Sequence, residues 1–177
     1  MGADLRFINS DDVETQVFDG GSIKWMSEVR VTGASRSAGG VVILDPGKGH
    51  ARHNHAGSDE ILYFISGEGD QMVEDDGHNP VVRHLKAGDM AYIPEGVYHS
   101  TINTTWEPLR ILAIYSPGGP EAFLRRLPDC TNVPAGEPPQ RWGFPMTPTP
   151  PASPPLATTA GPPTQNGHDS RADDGPP

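Results

Sequence analysis

Apolar and polar residues alternate in short bursts along the first two thirds of this chain. From Ser22 to Thr32 the string SIKWMSEVRVT puts Ile23, Trp25, Val29 and Val31 on one side and Lys24, Glu28 and Arg30 on the other. That is the pattern of a half-buried strand. Further strands are predicted over 39–45, 61–66, 71–74, 81–85, 90–93, 99–104 and 109–115, each bounded by Gly, Pro, Asp or Asn. Short strands at such close, regular spacing predict an all-β sandwich or barrel. DDGHN, 75–79, reads as a hairpin turn. A helical period is found only in PEAFLRRL, 120–127, where Pro120 suits the first helical position and Pro128 follows the end.

Within that pattern lie two sparse sets of residues. The first is Gly47, His53, His55, Glu60 and Gly67; the second, 20 residues on, is Gly88, Pro94, Gly96, His99 and Asn103. Side chains two apart on a strand share a face, so His53 and His55 can converge while Asn54 turns away. The turn-forming AGSD then lets Glu60 return beside them at the head of ILYFI. His99 shares a face with Thr101 and Asn103 and reaches the other three only if the sheet is closed or sandwiched. Three imidazoles and one carboxylate suit Fe, Mn, Co, Ni or Zn, and an octahedron would keep two positions open for water or substrate. A closed structural zinc site is usually tetrahedral and rich in thiolates, whereas Cys130 is the sole cysteine. The glycines and Pro94 frame the site as turn residues, and Asn103 is expected to tether backbone.

Both sets match the two motifs of the cupin superfamily, G-x5-H-x-H-x4-E-x6-G and G-x5-P-x-G-x2-H-x3-N, at every spacing. The chain resembles a single-domain bacterial cupin over residues 20–117, with an extension to about 143. The resemblance implies a jelly-roll β-barrel with a metal in its mouth. It further implies that His53, His55, Glu60 and His99 are the ligands of one divalent transition metal, with Fe favoured and Zn, Ni, Mn or Co as alternatives. Cupins include dioxygenases, decarboxylases, isomerases, polyketide cyclases and binding proteins, and the fold alone does not choose among them. A retained Glu60 resembles the sites of oxygen-using and oxalate-processing members, and the second domain or dedicated lid acid typical of the oxalate type is not visible, so the first expectation is an O2-dependent, dioxygenase-like enzyme acting on a small apolar or aromatic enolisable substrate. Lewis-acid cyclisation, isomerisation or decarboxylation is the second, and ligand binding without catalysis the third.

Alternation from Glu60 places Leu62 and Phe64 on the pocket lining. Other walls are expected from Trp25, Met72, Met90, Tyr92, Tyr98 and Ile102. Glu60, Tyr92 and Tyr98 are the candidate proton-transfer residues, with His50 as a further one. His50 is a candidate for the pocket rim; His78 and His84 are expected on the surface.

Composition narrows the partners. A formal net charge of −10 over 177 residues disfavours nucleic acid. The start, MGADLRFINSDD, lacks the apolar core of a signal peptide and no apolar run reaches ~18 residues, so a cytoplasmic protein without a membrane partner is expected. One cysteine fits a reducing compartment. Residues 1–144 read as the barrel domain. From 145 to 177 the Pro-rich string PMTPTPPASPPLATTAGPPTQNGHDSRADDGPP cannot offset its ordering entropy by burial and reads as a disordered tail, with Arg141 and Trp142 able to dock on the barrel. A homodimer is expected through edge strands, including the one around Ile23 to Val31.

Overall fold

A computed structural model describes residues 6–138; the expected tail, Arg141 and Trp142 lie outside the described residues. The regular elements of the described residues are almost all strands: β1 (Thr15–Phe18), β2 (Gly21–Ser27), β3 (Ala38–Leu44), β4 (Gly49–His53), β5 (Asp59–Ser66), β6 (Glu68–Glu74), β7 (Pro80–Lys86), β8 (Met90–Ile93), β9 (His99–Ile102), β10 (Leu109–Ser116) and β11 (Thr131–Val133), with one short α-helix, α1 (Pro120–Leu124), and a single 3-10 turn at Ser10–Asp12. They form a seven-stranded sheet, ordered β11-β1-β2-β3-β10-β5-β8, and a four-stranded sheet, ordered β4-β9-β6-β7. Every pairing is antiparallel. This is the jelly roll that the alternation implies, with a cupin-like fold.

The core lies on the inner face of the large sheet. Ile23 and Trp25, Val42 and Leu44, Leu62 and Phe64, Ile93, and Leu109, Ile111, Ala113 and Tyr115 are all buried. The alternation along each strand therefore has the phase expected for β5, with Leu62 and Phe64 inward. Each such large side chain contributes roughly 1.5–3 kcal/mol by leaving water. Across from them the small sheet turns polar side chains inward: Thr101 Oγ1 donates to Gln71 Oε1 at 2.6 Å, both buried. His99 shares that face.

Several expectations are corrected. The strand read over 22–32 stops at Ser27, because the Glu28 carbonyl accepts from Val31 and Thr32 and folds the chain into a turn. Val29 is thereby exposed, while the Glu28 carboxylate is buried against Arg125 at 2.7 Å. β2 is also no edge, since β1 and β3 flank it, so pairing between copies through Ile23 to Val31 is closed. β1 and β11, short and half polar, have no counterpart among the predicted strands. The helix is shorter than 120–127.

Helix α1 matters because of what holds it. Gln16 takes the Trp25 Nε1 hydrogen bond at 3.1 Å and donates to the Glu121 carbonyl at 3.5 Å. Arg125, just past the helix, donates to Glu14 at 2.6 Å as well as to Glu28. These contacts pin α1 across the open end of the roll.

Candidate metal centre

The two motifs meet because one turn clamps one loop. Pro94 accepts from the Val97 amide, and Gly96, at φ 75°, takes the left-handed position that such a turn requires. Gly96 then donates to the His55 carbonyl at 3.0 Å and accepts from Asn54 Nδ2 at 3.1 Å. Glu95 accepts from the Gly57 amide while its own amide donates to Asp59. The loop that carries His55 is thus fixed to the segment that leads into His99. Close approach of β4 to β9 needs glycine at 49, where a Cβ would stand 2.1 Å from the Thr101 carbonyl oxygen. Asn103 is fully buried and tethers backbone, donating to the Leu44 and Glu107 carbonyls.

In register, His53 of β4 lies opposite His99 of β9, and Glu60 of β5 lies opposite Tyr115 of β10. His55 follows the end of β4 rather than sitting on it. The structure brings all four expected residues together between the sheets. The ring centres of His53 and His99 are 4.2 Å apart, those of His53 and His55 4.9 Å, and those of His55 and His99 5.2 Å. One ligand atom from each of the three rings lies within 4.8 Å of the others. Glu60 Oε2 is 2.8 Å from His99 Nε2 and 3.6 Å from His55 Nε2.

The hydrogen bonds settle what those atoms can do. His53 Nδ1 contacts the Ala51 carbonyl at 2.7 Å and His99 Nδ1 the Val97 carbonyl at 3.0 Å. A carbonyl only accepts, so a proton sits on Nδ1, and in the neutral ring Nε2 keeps a lone pair. His99 Nε2 and Glu60 Oε2 are both buried, and neither makes a hydrogen bond. Glu60 Oε2 and His99 Nε2 therefore face each other at 2.8 Å, a spacing that a proton on Nε2 or a metal cation held by both atoms satisfies. The donor set fits a divalent transition metal on chemistry and on geometry.

Charge and burial tune the site in opposite directions. Burial, helped by the neighbouring His53, lowers the His50 pKa to about 4. Burial and the crowding of His53, His99 and His50 outweigh Glu60 to bring His55 to about 4, and burial likewise lowers His53. Burial alone would raise the Glu60 carboxyl, yet His99, His55 and the Tyr115 hydroxyl outweigh it and hold the group below its usual range. Tyr115, buried and next to the Glu60 carboxylate, is pushed well above an ordinary phenol. Its hydroxyl lies 3.2 Å from His55 Nε2.

A cavity of about 470 Å³ opens in front of the histidines. Its polar side is His50, His53, His55 and Tyr115; its apolar side is Phe18, Ile23, Pro120, Phe123, Leu124 and Leu127. Behind the rings, where Glu60 and His99 lie, only about 10 Å³ is free. His50 stands where the rim was expected. The other expected walls do not line the cavity: Leu62 borders only the small space behind the rings, and Phe64 is packed in the core. Trp25 is buried against Tyr115, with ring centres 5.5 Å apart. Met90, Tyr92 and Ile102 lie on outward positions and are exposed, and Met72 shares the outward phase of its strand. Tyr98 is exposed beneath the Arg52 guanidinium, 3.7 Å from its ring centre. The candidate proton-transfer residues Tyr92 and Tyr98 are thus not brought to the centre. His78 and His84 are on the surface.

Sequence reasoning missed Tyr115 and the α1 wall. Tyr115 was legible in principle, since it shares the inward phase of Leu109, Ile111 and Ala113. The helix wall was not, because no local period says across which opening a five-residue helix will lie.

The cupin domain model matches residues 40–115. Protein SchB of Streptomyces halstedii is 27% identical over 119 residues, 67% of this chain and 83% of that protein. Oxalate decarboxylase OxdC of Bacillus subtilis is 28% identical over 111 residues, 62% of this chain, which spans only 28% of that relative. A solved structure concerned with the Mn(II) centres of Bacillus subtilis oxalate decarboxylase aligns with a TM-score of 0.57 at 24% identity, covering 64% of this chain and 29% of that one. At that identity the likeness speaks for the fold.

Proposed function

Residues 40–115 of this chain are a cupin domain, and from that premise we propose that the protein is a metal-dependent enzyme acting on a small, apolar or aromatic, enolisable substrate. In this reading His53, His55, His99 and Glu60 hold one divalent transition metal. The observation that carries it is the convergence of one ligand atom from each of three imidazoles within 4.8 Å of one another, with Glu60 Oε2 2.8 Å from His99 Nε2 in a buried site. When bound, the metal supplies a Lewis acid with open positions and, if redox-active, a place for O2. Iron is favoured, and manganese gains weight from the Mn(II) centres of the oxalate decarboxylase.

The cavity supports an apolar substrate class. Phe18, Phe123, Leu124 and Leu127 offer an apolar wall opposite the imidazoles, which suits a ring or a diketone chain presented edge-on by its oxygen atoms. They also exclude water from the reacting face. Tyr115 keeps its proton at neutral pH and stands between His55 and Glu60. It is placed to hydrogen-bond a developing enolate oxygen or to return a proton to it.

We take an O2-dependent, dioxygenase-like cleavage or hydroxylation as the first form of the reaction. A non-redox form, such as polyketide cyclisation, isomerisation or decarboxylation, is favoured by one observation: a neutral phenol at the centre serves enolate chemistry without any oxidant. The proposal has no nucleic-acid or membrane partner and a cytoplasmic setting; among the described residues no helix is long and apolar enough to cross a membrane.

The test is anaerobic purification with metal analysis, then O2 uptake by the metal-loaded protein with diketones, catechols and polyketide-like phenols. Iron with substrate-dependent O2 consumption supports the first form. Turnover without O2 uptake selects the second. Ligand binding without turnover under any metal would reduce the site to capture and overturn the enzymatic reading.

A further inference from the structure

The two imidazoles that meet across β4 and β9 are tethered alike, each to the carbonyl two residues before it: His53 Nδ1 to Ala51 and His99 Nδ1 to Val97. The middle residues of these tethers are Arg52 and Tyr98. They stack on each other, with the Arg52 guanidinium carbon 3.7 Å from the centre of the Tyr98 ring. Glu74, the last residue of β6, holds both. Its Oε1 accepts from Arg52 Nε at 2.6 Å and lies 2.5 Å from Nη2, and its amide donates to the Tyr98 carbonyl at 3.0 Å. In the strand order β4-β9-β6 the ion pair therefore reaches over the start of β9, from one of its neighbours to the other.

The backbone needs a hold at this point. His50 pairs with Thr101 and His53 with His99, so three steps along β4 match two along β9. The extra residue is a bulge, a device that re-aims side chains. Residues three apart on a regular strand face opposite sides, yet His50 and His53 both line the cavity. Ala51 and Arg52 fall in the irregular step without a register partner on β9. The ladder thus does not by itself set the peptide whose carbonyl tethers His53. Glu74 is suited to do so, because its side chain is only 6% exposed and its position is fixed from both sides. Its Oε2 is buried without a hydrogen bond, with His78 Nδ1 3.8 Å away, so Arg52 is the cation that answers its charge. A buried ion pair adds little stability that an apolar pair would not. Orientation is what it adds here.

We infer that Arg52 and Glu74 are positioning residues for the metal centre: their ion pair, closed on Tyr98, sets the bulge in β4 and with it the aim and the tautomer of His53. The role assigned toward a metal rests on reading His53, His55, His99 and Glu60 as its ligands, whereas the hold on the His53 tautomer is a property of the metal-free chain.

The test compares the full wild-type chain with two variants. Arg52→Met combined with Glu74→Leu removes the clamp and leaves no buried unpaired charge. Arg52→Lys keeps the charge but loses the planar fork and its stack, and it carries the test should the double variant fail to fold. Long-range proton–nitrogen NMR of the metal-free proteins at neutral pH reads the tautomers: wild type shows His53 and His99 protonated on Nδ1, and both variants show His53 as a mixture. Cobalt(II) titration, followed by its visible bands, gives a dissociation constant about tenfold higher in the double variant, the lower end of what outer partners of metal ligands supply, with shifted bands. Variants that match wild type in tautomer, cobalt(II) affinity and bands overturn the inference even if Tm falls, since a clamp that only stiffens the sheet would lower Tm and leave the centre unchanged. That result, with wild type binding cobalt(II), leaves the metal site standing. A wild-type chain that binds no cobalt(II), while the variants lose the His53 tautomer, overturns the metal site and supports the hold on His53.

Discussion

His55 and His84 are the same side chain in two regions of one barrel, and the two are tuned oppositely. His84, on the outer hairpin of β6 and β7, hydrogen-bonds Asp70 at 2.9 Å and has Glu68 3.7 Å away; these raise its pKa above 6.5. His55, between the sheets, has a carboxylate about as near, Glu60 at 3.6 Å, yet falls to about 4. Burial and three neighbouring imidazoles outweigh one anion. The lesson is that a carboxylate neighbour does not by itself make a histidine cationic; access to water decides. A region that keeps imidazoles neutral keeps their lone pairs free for a metal, while the exposed region keeps its histidine available for protons.

The sharpest way to break this comparison is to remove a ligand. His99→Ala or His53→Ala should lower metal affinity by more than about 100-fold, read as lost stoichiometric metal in a folded protein, because an open site contributes less to folding than a closed structural one. His84→Ala should leave metal content unchanged. Full metal in both pocket variants would end the ligand assignment.

Next in size is Tyr115→Phe, which keeps the ring against Trp25 and removes only the hydroxyl. Turnover should fall by roughly 10²–10⁴ as for loss of a general acid, with metal content intact. Unchanged turnover would make Tyr115 a packing residue. Leu124→Ala, in the cavity wall, should raise KM by about tenfold with little change in kcat; an equal loss in both would place the wall in the chemical step.

The smallest effect sharpens the contrast by pH. His50 and His55 have folded pKa values of about 4, below the 6.5 of an unperturbed imidazole. Between those limits the unfolded chain binds more protons, so the chelator-treated protein should be fully stable above pH 6.5 and lose Tm as pH falls toward 4. His84 runs the other way: its contribution is complete below pH 6.5 and is lost as pH rises through its raised folded value. Proton NMR of the metal-free protein should show His84 titrating above 6.5 and His50 and His55 near 4. His50→Gln should flatten the acid limb of the Tm profile, and coincident titration of all three would erase the distinction between the regions.

Much of this was written locally. Gly96 and Pro94 specify a turn through their own backbone restrictions, and the alternation of Leu62, Phe64 and Leu109 to Ala113 reports a half-buried strand wherever it occurs. Spacing also grouped His53, His55 and Glu60, since two-residue periodicity and a short turn are local constraints, whereas His99 joined them only through the resemblance of both motifs to the cupin pattern. By itself, then, the sequence determined the all-β class, the strand-and-turn rhythm and the candidate ligands.

Other features depended on residues distant in sequence. Whether Glu28 continued a strand or turned inward to Arg125 depended on a partner 97 positions away. Met90 and Tyr92 read as well inward as outward until pairing of Glu60 with Ile93 set the phase of β8. That Tyr115 stands over His55, that α1 walls the cavity, and that His99 Nε2 meets Glu60 Oε2 at 2.8 Å in a buried site were decided only by tertiary structure. Alternation along a strand assigns side chains to faces, but which face is inside, and what meets there, is settled by packing between chain segments far apart in sequence.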